Sequence, residues 1–128
     1  MEKFYTSLGL MSGTSMDGVD ASIIRSDGES NYEPVFNKYF QYDEVIYYDL
    51  VNLRDKINSI KDLTTNSYQI NELERKITLF HAKISKEIIK NTEIDVDLVG
   101  FHGQTIFHNV QKKISKQIGD GNLLSSLL

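Results

Sequence analysis

Phe4-Tyr5-Thr6-Ser7-Leu8-Gly9-Leu10-Met11-Ser12-Gly13-Thr14-Ser15-Met16-Asp17-Gly18-Val19-Asp20 passes from an apolar run into a polar bend and out again. Phe4 to Met11 reads as a buried strand that stops at Ser12-Gly13. Ser12 to Gly18 holds only small, polar or turn-forming residues apart from Met16, which predicts a tight loop. Val19 to Ser26 alternates imperfectly and is rich in β-branched residues, so it predicts a second strand. Asp27-Gly28 is a turn signal. Tyr32 to Tyr42, with Val35, Phe36, Tyr39 and Phe40, predicts a third strand. Short links between three successive strands predict an antiparallel meander.

Helical periods take over next. Ile46, Leu50, Leu53 and Ile57 recur at spacings of four, three and four and share one helix face. Asp43 and Glu44 stand in the first turn, where the helix dipole favours anions. Thr64-Thr65-Asn66-Ser67 offers N-cap candidates for a second helix. Its stripe is Ile70, Leu73, Ile77, Phe80, Ile84 and Ile88, over about residues 67–90, with Lys86 and Lys90 near its C-terminus. Asp97 to Phe101 predicts a fourth strand, ending in His102-Gly103-Gln104-Thr105. The expected order is β-β-β-α-α-β in one domain, with no repeat, linker or low-complexity tract.

Composition narrows the function classes. The chain has 128 residues, 40% hydrophobic and 25% charged, with a net charge of −4 and no cysteine. The negative balance argues against a nucleic-acid or anionic-membrane partner. The absence of cysteine excludes disulfides and thiolate metal sites. No stretch approaches the roughly 18 apolar residues of a membrane span, and Met1 to Ser7 has no long apolar run of a signal peptide. A cytoplasmic protein is expected.

Two polar motifs follow strand ends, where ligands gather in α/β sheets. In the first, Gly13 and Gly18 let backbone approach a ligand, and the hydroxyls of Ser12, Thr14 and Ser15 can donate to phosphate oxygens. Asp17 and Asp20 can hold Mg²⁺ or orient a nucleophile. The same residue types are also ordinary turn formers, so composition leaves both readings open. Val19 stands where a P-loop needs lysine, and Asp17 where a nucleophile elbow needs glycine, which excludes both motifs. The second motif, Gly100 to His108, supplies His102, Gln104, Thr105 and His108, donors and acceptors suited to sugar hydroxyls or an amide. A metal on His102 and His108 is disfavoured, since no third ligand sits at a suitable spacing. His81, Tyr47 and Tyr48 read as structural, and Lys112, Lys113 and Lys116 as a solvated loop.

Leu8-Gly9-Leu10-Met11-Ser12-Gly13-Thr14-Ser15-Met16-Asp17-Gly18-Val19-Asp20 resembles the opening signature of anhydro-N-acetylmuramic acid kinases. Gly100 to His108 resembles their second motif, and Gln117-Ile118-Gly119-Asp120-Gly121-Asn122-Leu123-Leu124 a third, in the same order. The resemblance implies a ribonuclease-H-like, actin-like first lobe of mixed sheet. It implies hydrolytic opening of a 1,6-anhydro sugar with phosphorylation from ATP. Gly13, Thr14, Ser15, Met16, Asp17, Gly18, Val19 and Asp20 would then hold ATP, with Asp17 and Asp20 on Mg²⁺. His102, Gly103, Gln104 and Thr105 would lie toward the sugar. The family's Asp-Phe-Arg segment and its general-base aspartate follow the third motif, and neither occurs in residues 1–128. The expectation is therefore an incomplete lobe with no catalytic base of its own. It would act as a homodimer or with a complementing C-terminal fragment, or else as an inactive remnant or binding module.

Overall fold

A computed structural model describes residues 3–111 and 113–128. Strands β1 (Tyr5–Ser12), β2 (Gly18–Ser26) and β3 (Tyr32–Gln41) form the expected antiparallel meander. Helices α1 (Glu44–Lys56), α2 (Ile60–Thr65) and α3 (Ser67–Thr92) then carry the chain across the sheet. That length is what a parallel return requires. β4 (Leu98–Asn109) accordingly lies parallel to β1, β5 (Ile114–Ile118) pairs antiparallel with β4, and α4 (Gly121–Leu127) follows. The sheet order is β3-β2-β1-β4-β5, a mixed α/β arrangement of the kind expected for an actin-like first lobe.

Strand register assigns the two faces. Leu8, Leu10 and Ser12 on β1, Val19, Ala21 and Ile23 on β2, Gln104 and Ile106 on β4 and Ile118 on β5 are buried. They meet Ile46, Leu50 and Leu53 of α1 and Ile70, Leu73, Ile77, Ile84 and Ile88 of α3. Each such aliphatic side chain contributes about 1.5–3 kcal/mol by leaving water. The alternate strand residues Gly9, Met11, Asp20, Gly100 and His102 are exposed on the opposite face.

Both long helices lie where their apolar stripes predict, with Asp43 capping α1 rather than entering its first turn and α3 running two residues past the expected end, to Thr92. The Asp43 carboxylate caps α1, accepting from the Ile46 N–H at 2.9 Å. α3 closes at Glu93, whose φ of 54° is left-handed.

Three departures have local causes. α2 separates the helices; Asp62 accepts from the Ser59 N–H at 3.1 Å, so α2 starts after Ser59 and takes in Thr64 and Thr65. That leaves Asn66 as the cap residue of α3. β4 does not stop at Phe101 but runs through the second motif to Asn109. A bulge between Phe101 and Gln104 absorbs His102-Gly103, with Gly103 at φ 79°. Beyond it β4 turns to β5, whose polar sequence gives no strand signal and which is held by main-chain pairing. Lys116 therefore lies on a strand, while Lys112 is outside the described residues.

Candidate functional site

The loop of residues 13–17 projects from the end of β1. Gly13, Thr14, Ser15 and Asp17 are exposed, and among the described residues no backbone partner is found for the Thr14 and Ser15 amides. The loop is nonetheless shaped from beneath. The Met16 N–H donates to the Gly13 carbonyl at 3.3 Å, and Met16, at a left-handed φ of 62°, turns its side chain into the core at 3% exposure. Such a φ costs a non-glycine residue free energy, here offset by the buried thioether. The Tyr42 N–H donates to the Asp17 carbonyl at 2.8 Å and ties the far end of the loop to β3.

Asp17 is the best-organised acid in the loop. It accepts from the Ser15 hydroxyl at 2.9 Å and from the Tyr39 hydroxyl, and these two bonds, Tyr39 first, hold its carboxyl below the usual range. Tyr39 in turn is pushed up to about 12, chiefly by desolvation, then by its bond to Asp17 and by the charges of Asp17 and Asp20. Both expected metal-holding carboxylates thus act on one tyrosine. Tyr39 reaches this position across Gly18, where a Cβ would clash with the Phe40 carbonyl and the Tyr39 hydroxyl. Beside Asp17 lies an open cavity of 370 Å³ walled by Gln41, Tyr42, Glu44, Tyr47 and Tyr48. Asp20 and His102 instead border a 410 Å³ depression on the open sheet face.

Ser12 departs from its expected role as a phosphate donor. It is 2% exposed, on the helix side, within 3.1 Å of the Tyr42 hydroxyl and 3.4 Å of His81 Nε2. The Tyr42 hydroxyl donates to Gln104 Oε1 at 3.2 Å, and Gln104 Nε2 donates to the Gly13 carbonyl at 2.8 Å and to the Thr105 carbonyl at 3.1 Å. His81 Nδ1 donates to the Ile77 carbonyl at 2.7 Å, and burial lowers the imidazole pKa, so the ring is neutral. Tyr42 is pushed up to about 12 by burial, so it keeps its proton. A buried chain of polar groups thus runs from α3 through β1 and Tyr42, the residue after β3, to β4, and ends on the first residue of the loop. Every buried side-chain polar atom among the described residues has a partner. A satisfied network of this kind specifies one arrangement.

The second motif divides between the two faces. His102 is exposed and donates from Nδ1 to the Gly103 carbonyl at 3.1 Å. Gly103 is buried, and a Cβ there would lie 2.6 Å from the Ile118 carbonyl oxygen. Gln104 is fully buried with its amide engaged as above, while Thr105 is half-buried against Gln117. His108 is exposed farther along β4. Among the described residues no three of His, Cys, Asp and Glu converge on one point. Val19 is buried in the core and shapes the loop's exit only through the backbone.

Sequence reasoning missed Tyr39, Tyr42 and His81 as parts of this assembly. An alternating strand and an apolar helix stripe hide them, and only the four-residue offset of His81 from Ile77 hinted at a backbone bond. It also missed how the third motif is held. The Gly119 N–H donates to Glu74 Oε2 at 2.9 Å and the Asp120 N–H to Thr78 Oγ1 at 3.0 Å, both on α3. Asp120 then caps α4 by accepting from the Leu123 N–H at 3.0 Å.

Comparison with known proteins agrees with the motifs. The sequence model of the anhydro-N-acetylmuramic acid kinase family matches residues 5–127. The anhydro-N-acetylmuramic acid kinase of Pelagibacter ubique is 88% identical over the whole chain, which covers 34% of that protein. Those of Agrobacterium fabrum and Rhodospirillum rubrum are 38% and 36% identical over 98% and 95% of the chain, covering 34% and 31% of their lengths. The chain spans about a third of the length of these relatives and, by the match of 5–127, belongs to the anhydro-N-acetylmuramic acid kinase family.

Proposed function

We propose that this chain is the nucleotide-phosphate half of a sugar kinase cleft, serving an enzyme that opens 1,6-anhydro-N-acetylmuramic acid with water and phosphorylates it from ATP. The exposed loop 13–17, whose Thr14 and Ser15 amides have no partner among the described residues and lie beside an ionised Asp17, supports this reading most directly. Exposed amides on a rigidly seated turn, with the Thr14 hydroxyl beside them, suit phosphate oxygens. Gly13 to Asp20 is the segment that holds ATP.

Asp17 and Asp20 are hard oxygen donors of the type Mg²⁺ takes, one or two per site with phosphate oxygens and waters completing the shell. Tyr39 and Ser15 keep Asp17 charged and aimed. When bound, Mg²⁺ supplies charge neutralisation for the transferring phosphoryl group. Gln104 fixes the Gly13 carbonyl and so positions the loop. His102, on the surface at the bulge, is the member of the second motif free to meet the sugar, with Gly103 setting its direction and Thr105 alongside. In the cell this chemistry belongs to a cytoplasmic protein recycling cell-wall amino sugar, working as a homodimer or with a complementing fragment.

Titration calorimetry with Mg-ATP tests this. Saturable one-to-one binding that disappears in Asp17→Asn supports it. Absence of binding by the folded wild-type chain overturns it.

A further inference from the structure

The buried network beneath the loop has fewer protons than contacts. Three side-chain contacts join it in series: His81 Nε2 to Ser12 Oγ at 3.4 Å, Ser12 Oγ to the Tyr42 hydroxyl at 3.1 Å, and the Tyr42 hydroxyl to Gln104 Oε1 at 3.2 Å. Both ends are fixed. Gln104 directs its two amide protons to the Gly13 and Thr105 carbonyls, so its Oε1 can only accept. His81 Nδ1 faces the Ile77 carbonyl at 2.7 Å, and a carbonyl accepts. The neutral ring therefore carries its proton on Nδ1, and Nε2 is an acceptor as well. Between these two acceptors lie only the hydroxyl protons of Ser12 and Tyr42, and two protons cannot fill three contacts.

The distances show which contact goes without. Tyr42 donates to Gln104, so Ser12 donates to Tyr42, and no proton remains for the pair of Ser12 Oγ and His81 Nε2. That pair is the longest of the three and lies beyond the usual hydrogen-bond range, as expected where two lone pairs face each other. A proton on Nε2 completes the series with every bond running the same way, from imidazolium to Ser12, Tyr42, Gln104 and the Gly13 carbonyl. Bonds aligned in series polarise one another, and a charged donor at the head strengthens those behind it.

We propose that His81 is a proton-binding site coupled to the loop: a proton taken from solvent at Nε2 fills the Ser12 contact, and its charge is relayed through Tyr42 and Gln104 to the Gly13 carbonyl, tightening the seat of residues 13–17. The N–H bond is the only bond formed, and imidazole becomes imidazolium. β1 presents Ser12 to the ring, β4 presents Phe101 with its ring 4.9 Å away, and on α3 Phe80 lies 6.5 Å away. Tyr42 is the titratable group set against this assembly; burial first, then the charge of Asp17, pushes it up to about 12, so it stays protonated. Glu74 and Asp120 are engaged by the Gly119 and Leu123 N–H groups, and His102 is exposed on the opposite sheet face. Desolvation lowers the His81 pKa against the Ile77 bond, so the proton enters below 6.5. The same proton that firms the loop thus lowers global stability, and the two effects have opposite signs. This coupling does not require that the loop bind phosphate, and its test uses no nucleotide.

NMR of the isotope-labelled chain across a pH series provides the test. Long-range nitrogen spectra read the His81 tautomer, and the Gly13 carbonyl carbon shift reads the bond that carbonyl accepts. The neutral ring should carry its proton on Nδ1 alone. The Gly13 carbonyl should move downfield with the same midpoint, below 6.5, as the His81 ring carbons. Ser12→Ala should leave His81 titrating and abolish the Gly13 response, and Gln104→Leu should break the relay at its other end. A neutral ring protonated on Nε2 overturns the proposal, because no contact is then short of a proton. A Gly13 carbonyl that stays still while His81 titrates overturns it too, as does a ring that takes no proton before the chain unfolds. Ser12→Ala with the Gly13 response intact also overturns it. The tautomer and the shared midpoint are read on the unsubstituted chain, so a variant that fails to fold leaves the test in place.

Discussion

Asp17, Tyr39 and Ser15 form a unit whose parts are separable by mutation. The folded-state pKa of Asp17 is depressed, so its charge is present above the ordinary carboxylate range and is lost only as pH falls through the lowered value. Tyr39→Phe removes the first of the two bonds responsible. Loss of Mg-ATP binding on acidification should then begin at higher pH in the variant, as read by calorimetry across a pH series. His81 gives a second pH signature. Burial lowers its pKa from 6.5, so the unfolded chain binds a proton more readily. Stability is full above about 6.5 and declines as pH falls below it; His81→Phe should flatten that part of the profile in urea melts. Gln104→Leu leaves the Tyr42 hydroxyl with Ser12 alone and the Gly13 carbonyl with only the long bond from the Met16 N–H, an expected loss of about 1–3 kcal/mol by urea unfolding. None of the long-range pairs that define this network could be read from sequence. His81 lies 69 positions from Ser12, and Tyr42 lies 62 from Gln104.

At the level of elements, α3 carries the most. Its stripe meets the sheet through Ile77 and Ile88, while Glu74 and Thr78 seat the third motif. Ile77→Ala should cost about 2–5 kcal/mol, measured as a drop in urea midpoint at constant slope. The stripe was legible because six apolar residues at helical spacing admit no other regular structure. The bulge in β4 was not, because His102-Gly103 resembles a strand end as much as an interruption. Gly103→Ala combines a left-handed φ with a 2.6 Å approach to the Ile118 carbonyl. It should destabilise by about 1–3 kcal/mol and loosen the β4–β5 pairing, visible as faster amide exchange in Ile114–Ile118.

For the whole molecule, the chain spans about a third of the length of its relatives, and the resemblance leads us to expect the general base outside residues 1–128. The isolated chain should release no ADP from Mg-ATP and 1,6-anhydro-N-acetylmuramic acid in a coupled assay. Turnover by this polypeptide alone would show that the catalytic base lies within residues 1–128. One side of the sheet buries a continuous core, and the other presents Met11, Leu98, Asp20 and His102 to solvent.

Residue types and their spacing were sufficient for the meander, the two long helices, the fourth strand's start, the loop at 13–17 and the family. Each of these rests on local periodicity, on turn chemistry or on a contiguous motif. Tertiary structure alone decided that Ser12 and Gln104 face inward while Asp20 and His102 face outward, and that Tyr39 organises Asp17. A strand's side chains alternate in direction, and a single bulge reverses the assignment for everything beyond it. Which face a polar residue occupies is therefore set by packing over the whole sheet, and no local window contains it.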